Sequence, residues 1–147
     1  MIRNIPSILN SDLVKILMDM GHSDEIAIVD RNFPAATMGK KVIYMPATSV
    51  CDVLSALIQV LPLDEAADYN VAMMAVTAGA TGNVRDEQLY INEIDKSIDM
   101  KKPIKQLDRF SFYEQVKNSY AVISTGEKMR FANVILKKGI LKFDEQY

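Results

Sequence analysis

At 147 residues the chain is one domain's worth, and chains near this length bury about 68–70% of their unfolded surface, enough for a core of their own. A formal net charge of −2 argues against nucleic acid and against an anionic membrane as partners. The single cysteine, Cys51, excludes an internal disulfide and a cysteine-based metal site, and the single histidine makes a zinc centre unexpected.

The elements follow in chain order. Asn10-Ser11 supplies an N-cap, and Leu13, Ile16, Leu17 and Met20 recur at helical spacing, which predicts a helix stopping at Gly21. The continuous apolar run 26–29 predicts a strand covered on both faces, followed by a loop over 30–34. A second strand is predicted over Val42–Met45. A helix capped at Thr48-Ser49 then carries Val50, Val53, Leu54, Leu57, Ile58 and Leu61 and ends at Pro62. Residues 71–76 read as a third strand, and Gly79 and Gly82 mark a loop before a helix over 85–99. A strand over 104–108 and a helix from Ser111 follow, with strands over 120–124 and 133–136 completing the series. Cys51 falls within a helical pattern, where it is expected as a small buried hydrophobe. The lysine pairs at 40–41, 101–102 and 137–138 are expected on solvated surface.

Strands alternating with helices predict an α/β fold: a single three-layer domain over 1–147, with a mostly parallel (mixed) sheet and helices on both faces. No charged segment followed by an apolar one opens the chain, and no apolar run reaches the ~18 residues of a membrane span. The expectation is a soluble cytoplasmic protein.

Gly79-Ala80-Thr81-Gly82 follows a strand but has neither the spacing of a dinucleotide fingerprint nor the Lys-Ser/Thr of a P-loop. His22 is the only side chain of a type that titrates near neutrality without perturbation. It lies in Gly21-His22-Ser23-Asp24-Glu25, before the 26–29 strand, with Asp30 at that strand's far end. On the residues alone, two accounts of His22 stand: a ring favoured by a helix C-terminus, or an acid–base group. Asp30 reads equally as a turn residue or a functional carboxylate. Arg109 is expected in a connection between strand and helix, as surface arginine or as a ligand contact.

These residues resemble the family of L-fucose mutarotases and D-ribose pyranases. The resemblance runs through Met20-Gly21-His22-Ser23-Asp24-Glu25, Asp30 with Asn32-Phe33-Pro34, Asp108-Arg109-Phe110-Ser111-Phe112-Tyr113-Glu114, and Thr125-Gly126-Glu127 into Ala132-Asn133-Val134-Ile135-Leu136-Lys137-Lys138-Gly139. It implies His22 as catalytic acid/base, Asp30 and Arg109 as sugar-binding residues, and a contributing stretch Phe131-Ala132-Asn133. Arginine at 109 is similar to the fucose branch, where the ribose branch carries histidine. The resemblance therefore implies an L-fucose mutarotase, with a D-ribose pyranase or a non-catalytic sugar-binding or transport-accessory protein as alternatives. It further implies a homo-oligomer, a decamer of two pentamers, with sites near subunit contacts.

One position departs from the family pattern: Phe131 stands where tyrosine is usual. The phenyl ring keeps a stacking surface but loses a hydroxyl that donates and accepts. Tyr113 and Tyr120 are candidates to replace it, and Phe33 to stack on a sugar face. Anomer exchange opens a hemiacetal by taking the anomeric hydroxyl proton and giving one to the ring oxygen. It needs no cofactor and no metal, and imidazole suits both proton steps.

Overall fold

The computed structural model describes residues 3–145. The sheet carries six strands, β1 Glu25–Val29, β2 Val42–Met45, β3 Val71–Met74, β4 Lys105–Leu107, β5 Ala121–Thr125 and β6 Val134–Lys137. Between and before them lie α1 Ser11–Asp19, α2 Ala35–Met38, α3 Val50–Ile58, α4 Glu87–Ile94 and α5 Arg109–Asn118.

The caps explain most boundaries. Asn10 accepts from the Leu13 amide and opens α1. Ser49 and Asp52 form a reciprocal capping box on α3. Asp86 accepts from Gln88 and starts α4 two residues later than expected, and the helix ends at Ile94 rather than near 99. Asp108 caps α5, so that helix begins at Arg109 rather than Ser111. Arg109 is thus a first-turn helical residue and not part of a connection. The short α2 falls directly after the expected 30–34 loop. Tyr120 and Asn133 flank β5 and β6 instead of belonging to them.

The strand order is β2-β5-β1-β6-β3-β4. β2, β5 and β1 pair in parallel, as do β3 and β4, while β6 runs antiparallel between β1 and β3. The expected mixed sheet is therefore present, with one reversed strand at its centre. Alternation along β1 divides the core. Ile26 and Ile28 pack with Leu13 and Ile16 of α1, Leu54 and Leu57 of α3 and Tyr90 of α4. Ala27 and Val29 face the other way, against Ala35 of α2 and Phe112 and Val116 of α5. Helices thus cover both faces.

Lys137 departs from the expected solvated surface. Its ammonium lies 3.4 Å from Glu25 and 4.3 Å over the Tyr69 ring. Among the described residues, no helix is long and apolar enough to cross a membrane.

Candidate functional site

All the expected site residues but Ala132 and Tyr120 are divided between two cavities at opposite ends of the central strand β1. The first, of about 240 Å³, opens where β1 and β3 end and β6 begins. Because β6 is antiparallel, its first residues meet the last residues of β1 at this end. Asp30 and Asn133 form the buried floor. Asn133 Nδ2 donates to Asp30 Oδ2 at 3.0 Å, and the Asp30 amide donates to Asn133 Oδ1 at 2.9 Å. Asp30 Oδ1 accepts from the Asn32 amide at 2.9 Å. Burial pushes the Asp30 carboxyl up from its ordinary value, against the bonds from Asn32, Asn133 and Phe33. A carboxylate offers about four acceptor positions, so with these bonds made Asp30 keeps capacity for one ligand hydroxyl.

One wall comes from α5. Asp108 Oδ1 accepts from the amides of Phe110 and Ser111 at 3.0 and 3.1 Å, which fixes where the helix starts. Arg109 and Tyr113, four residues apart, then share one face and line the cavity. Phe112 is fully buried and anchors the helix from its other side. Phe33 completes this wall, with its ring edge-on to Tyr113 at a centroid distance of 5.1 Å.

The opposite wall is Arg130 and Phe131. Phe131 has φ +60°, a conformation rare for a bulky residue and characteristic of functional turns. Arg85, buried beneath it, holds it there: Nη1 donates to the carbonyls of both Phe131 and Met74. The Arg85 amide also donates to the Arg130 carbonyl at 3.1 Å. Burial pulls the Arg85 guanidinium down from its ordinary value, with Glu87 acting the other way. Ala132 is fully buried in the core. It supports Phe131 and Asn133 from behind and does not line the cavity.

His22 lies elsewhere. It precedes β1 whereas Asp30 follows it, and five residues at about 3.3 Å each put roughly 16 Å of strand between the two ends. Asp30 therefore does not orient the imidazole within one chain. His22 instead lines a second cavity of about 140 Å³ together with Asp64, Glu65, Asp99 and Lys142. Its Nε2 faces Asp64 Oδ2 at 3.2 Å. Tyr120 is also at this far end, where its amide bonds the Glu25 carbonyl at 2.8 Å and Lys41 lies over its ring. It cannot supply a hydroxyl to the first cavity of its own chain, whereas Tyr113 lines that cavity.

Asp64, Arg85 and Arg130 are the residues that sequence reasoning missed. Arg85 is disguised as the first residue of a helical pattern, yet its amide pairs with the 130 segment. Arg130 is adjacent to the Phe131-Ala132-Asn133 stretch, and this adjacency was its only signal. Cys51 packs against the core but is only partly buried rather than fully so, and that burial pushes its thiol up to about 11.

The first cavity joins a buried carboxylate–amide floor to two guanidinium groups and aromatic edges, a donor and acceptor set suited to a small polyhydroxylated molecule. The model of the RbsD / FucU transport protein family matches residues 3–141. The chain belongs to the RbsD/FucU family. An L-fucose mutarotase of Histophilus somni (strain 2336) is 33% identical over 140 residues, 95% of this chain and 97% of that protein. The fucose mutarotase from Streptococcus pneumoniae, solved in complex with L-fucose, superposes with a TM-score of 0.90 at 35% identity, covering 96% of this chain and all (100%) of that one. RbsD from Bacillus subtilis, solved with D-ribose, gives 0.70 at 29% identity, covering 91% of this chain and 95% of that one. The RbsD/FucU match takes in every residue that lines the first cavity and all of those that line the second except Lys142.

Proposed function

We propose that the protein is an L-fucose mutarotase, an isomerase that interconverts the α and β anomers of the free sugar. The observation that carries this reading is the buried Asp30–Asn133 pair facing Arg109 across an aromatic-edged cavity. The fucose-bound relative with a TM-score of 0.90 supports fucose over ribose, for which the likeness is 0.70. In this reading Asp30 accepts from a sugar hydroxyl, Arg109 and Asn133 donate, and Phe33 and Phe131 cover the apolar face and the C6 methyl. Tyr113 adds a hydroxyl at the rim.

His22 is the proton-transfer group of the proposal. Its distance from Asp30 within one chain requires that it reach the sugar pocket from a neighbouring subunit. The protein is thus read as a homo-oligomer in which one protomer's His22 faces the next protomer's sugar; the decamer of two pentamers is what the family resemblance implies, and the cytoplasmic setting is the expectation from the sequence. Exposed Met18, Tyr44, Ile98, Phe110, Ile140 and Leu141 offer apolar area for such contacts. The imidazole takes the anomeric hydroxyl proton and returns one to the ring oxygen. The open aldehyde turns over, and the steps reverse to close the ring.

Saturation-transfer NMR between the L-fucose anomers tests this directly. Wild type is expected to speed exchange, and His22→Ala to lose about 10²–10⁴-fold, the usual span of positioned acid–base catalysis. Undiminished exchange in His22→Ala would remove His22 from the mechanism. Faster exchange of D-ribose than of L-fucose would move the reading to the ribose branch. Calorimetric binding of fucose without acceleration would leave a non-catalytic sugar binder.

A further inference from the structure

The His22 imidazole is held by a corner built for it. Ser23 has φ +66°, which a non-glycine residue adopts only when its surroundings demand it. Its amide donates to the Lys138 carbonyl at 2.8 Å, and the Gly21 amide donates to Asp24 Oδ2 at 2.7 Å. The strained turn brings the Ser23 hydroxyl to Asp64 Oδ2 at 2.9 Å, the same oxygen that faces His22 Nε2.

Asp64 is anchored independently of that turn. Its own amide donates to the Lys137 carbonyl at 3.0 Å, at the end of β6. Its Oδ1 accepts from the amides of Ala66 and Ala67 at 3.0 and 3.3 Å. The side chain of Asp64 is only 2% exposed, whereas that of His22 is 48% exposed. The imidazole therefore presses one nitrogen on a fixed, buried oxygen and turns the remainder of its ring to the outside. The other charges of this cavity are occupied: Asp99 Oδ2 by the Leu63 amide at 2.8 Å, and Glu65 by Lys142 at 2.7 Å. Burial acts to raise the Asp64 carboxyl, but the bonds from Ser23, His22 and Ala66 overcome it and hold it below its ordinary value. The carboxylate is thus an acceptor only.

We propose that Asp64 is a positioning residue for His22, fixing the neutral imidazole in the tautomer protonated at Nε2 and leaving Nδ1 as the nitrogen that exchanges protons with the sugar. The proposal rests on His22 being the acid–base group. A neutral imidazole has one donor and one acceptor nitrogen, and the partner of one sets the role of the other. A carboxylate at Nε2 demands a proton there. It also stabilises the imidazolium formed when Nδ1 takes the sugar proton, as the buried aspartate does in serine-protease triads.

Because the chain has one histidine, long-range ¹H–¹⁵N correlation of the labelled protein reads this ring without ambiguity. Wild type is expected to show a protonated Nε2 and an unprotonated Nδ1. Asp64→Asn keeps an acceptor for Ala66 and Ala67 and puts an NH₂ group against Nε2, which moves the ring proton to Nδ1. In that variant kcat for anomer exchange should fall by about 10²–10⁴-fold, with KM for L-fucose unchanged within about twofold, since Asp64 lies outside the sugar cavity. A purely structural role would lower the amount of folded enzyme and leave the ring tautomer of the folded fraction unmoved. A wild-type ring protonated at Nδ1 overturns the proposal, even if Asp64→Asn does not fold. An undiminished kcat in a folded Asp64→Asn with the tautomer reversed overturns it as well. Wild-type protein that shows the Nε2 tautomer but does not speed fucose exchange sinks the fucose reading and supports the orientation of the ring.

Discussion

At the residue scale, the proposed role of Asp30 couples binding to pH. Burial raises its folded-state pKa, so the folded protein holds this proton more tightly than the unfolded chain does. Its contribution to stability accordingly falls as pH rises through the window between the ordinary and the raised value. Binding has the opposite sign, because the ionised carboxylate is the form that accepts from a sugar hydroxyl. Affinity for L-fucose should weaken on acidification at a pH above the usual aspartate range. Titration calorimetry across that range checks this: Asp30→Asn should bind weakly at every pH and lose the acid limb. A limb that persists in Asp30→Asn belongs to another group. Phe131 allows a second test at this scale, since its backbone is already held at φ +60° by Arg85. Phe131→Tyr adds only a hydroxyl, and one new hydrogen bond in the transition state, about 1.4 kcal/mol, is a tenfold rise in kcat. An unchanged kcat by NMR exchange would show that this position supplies a ring face and no proton path.

At the element scale, α5 carries one of the pocket's two arginines, Arg109, on one side and its anchor on the other. Phe112 is fully buried between α5 and the sheet. Phe112→Ala should cost about 3–5 kcal/mol of stability, and the loosened helix should raise KM through Arg109 and Tyr113. Denaturant unfolding and exchange kinetics on one preparation check both, and a stability loss with KM unchanged would uncouple helix anchoring from the pocket. The core of this element was legible in the sequence, since Phe112 and Val116 stand at helical spacing. Its start was not, because Asp108 reads as a strand terminus until its carboxylate is seen accepting from Phe110 and Ser111. The four residues of α2 are fewer than any periodicity needs. The direction of β6 was hidden for another reason: a strand buried on both faces has the same apolar run whichever way it points. Yet that direction is what joins Asn133 to Asp30.

At the scale of the whole molecule, Asp30, Arg109, Phe131 and Asn133 were legible as candidates, but where they sit relative to His22 was not. His22 and Asp30 are eight positions apart in the sequence, and the five-residue strand between them keeps them at its opposite ends because extended chain spends its length on separation. In the ring that the family resemblance implies, a pocket that takes Asp30 from one protomer and His22 from the next is a heterologous contact repeated around the closed ring. This predicts complementation between two defective chains. His22→Ala and Asp30→Asn should each be inactive alone, since every site in either assembly lacks one group. Co-expressed in equal amounts and randomly assembled, they create sites whose histidine comes from the Asp30→Asn chain and whose aspartate comes from the His22→Ala chain. Each donor is the correct one half the time, so about a quarter of the wild-type rate per site should return for a head-to-tail ring. Mixing the purified assemblies without subunit exchange should restore nothing. If co-assembly also restores nothing while each variant still forms the wild-type oligomer, His22 does not act across the subunit boundary, and the fold offers it no other path to the sugar at Asp30.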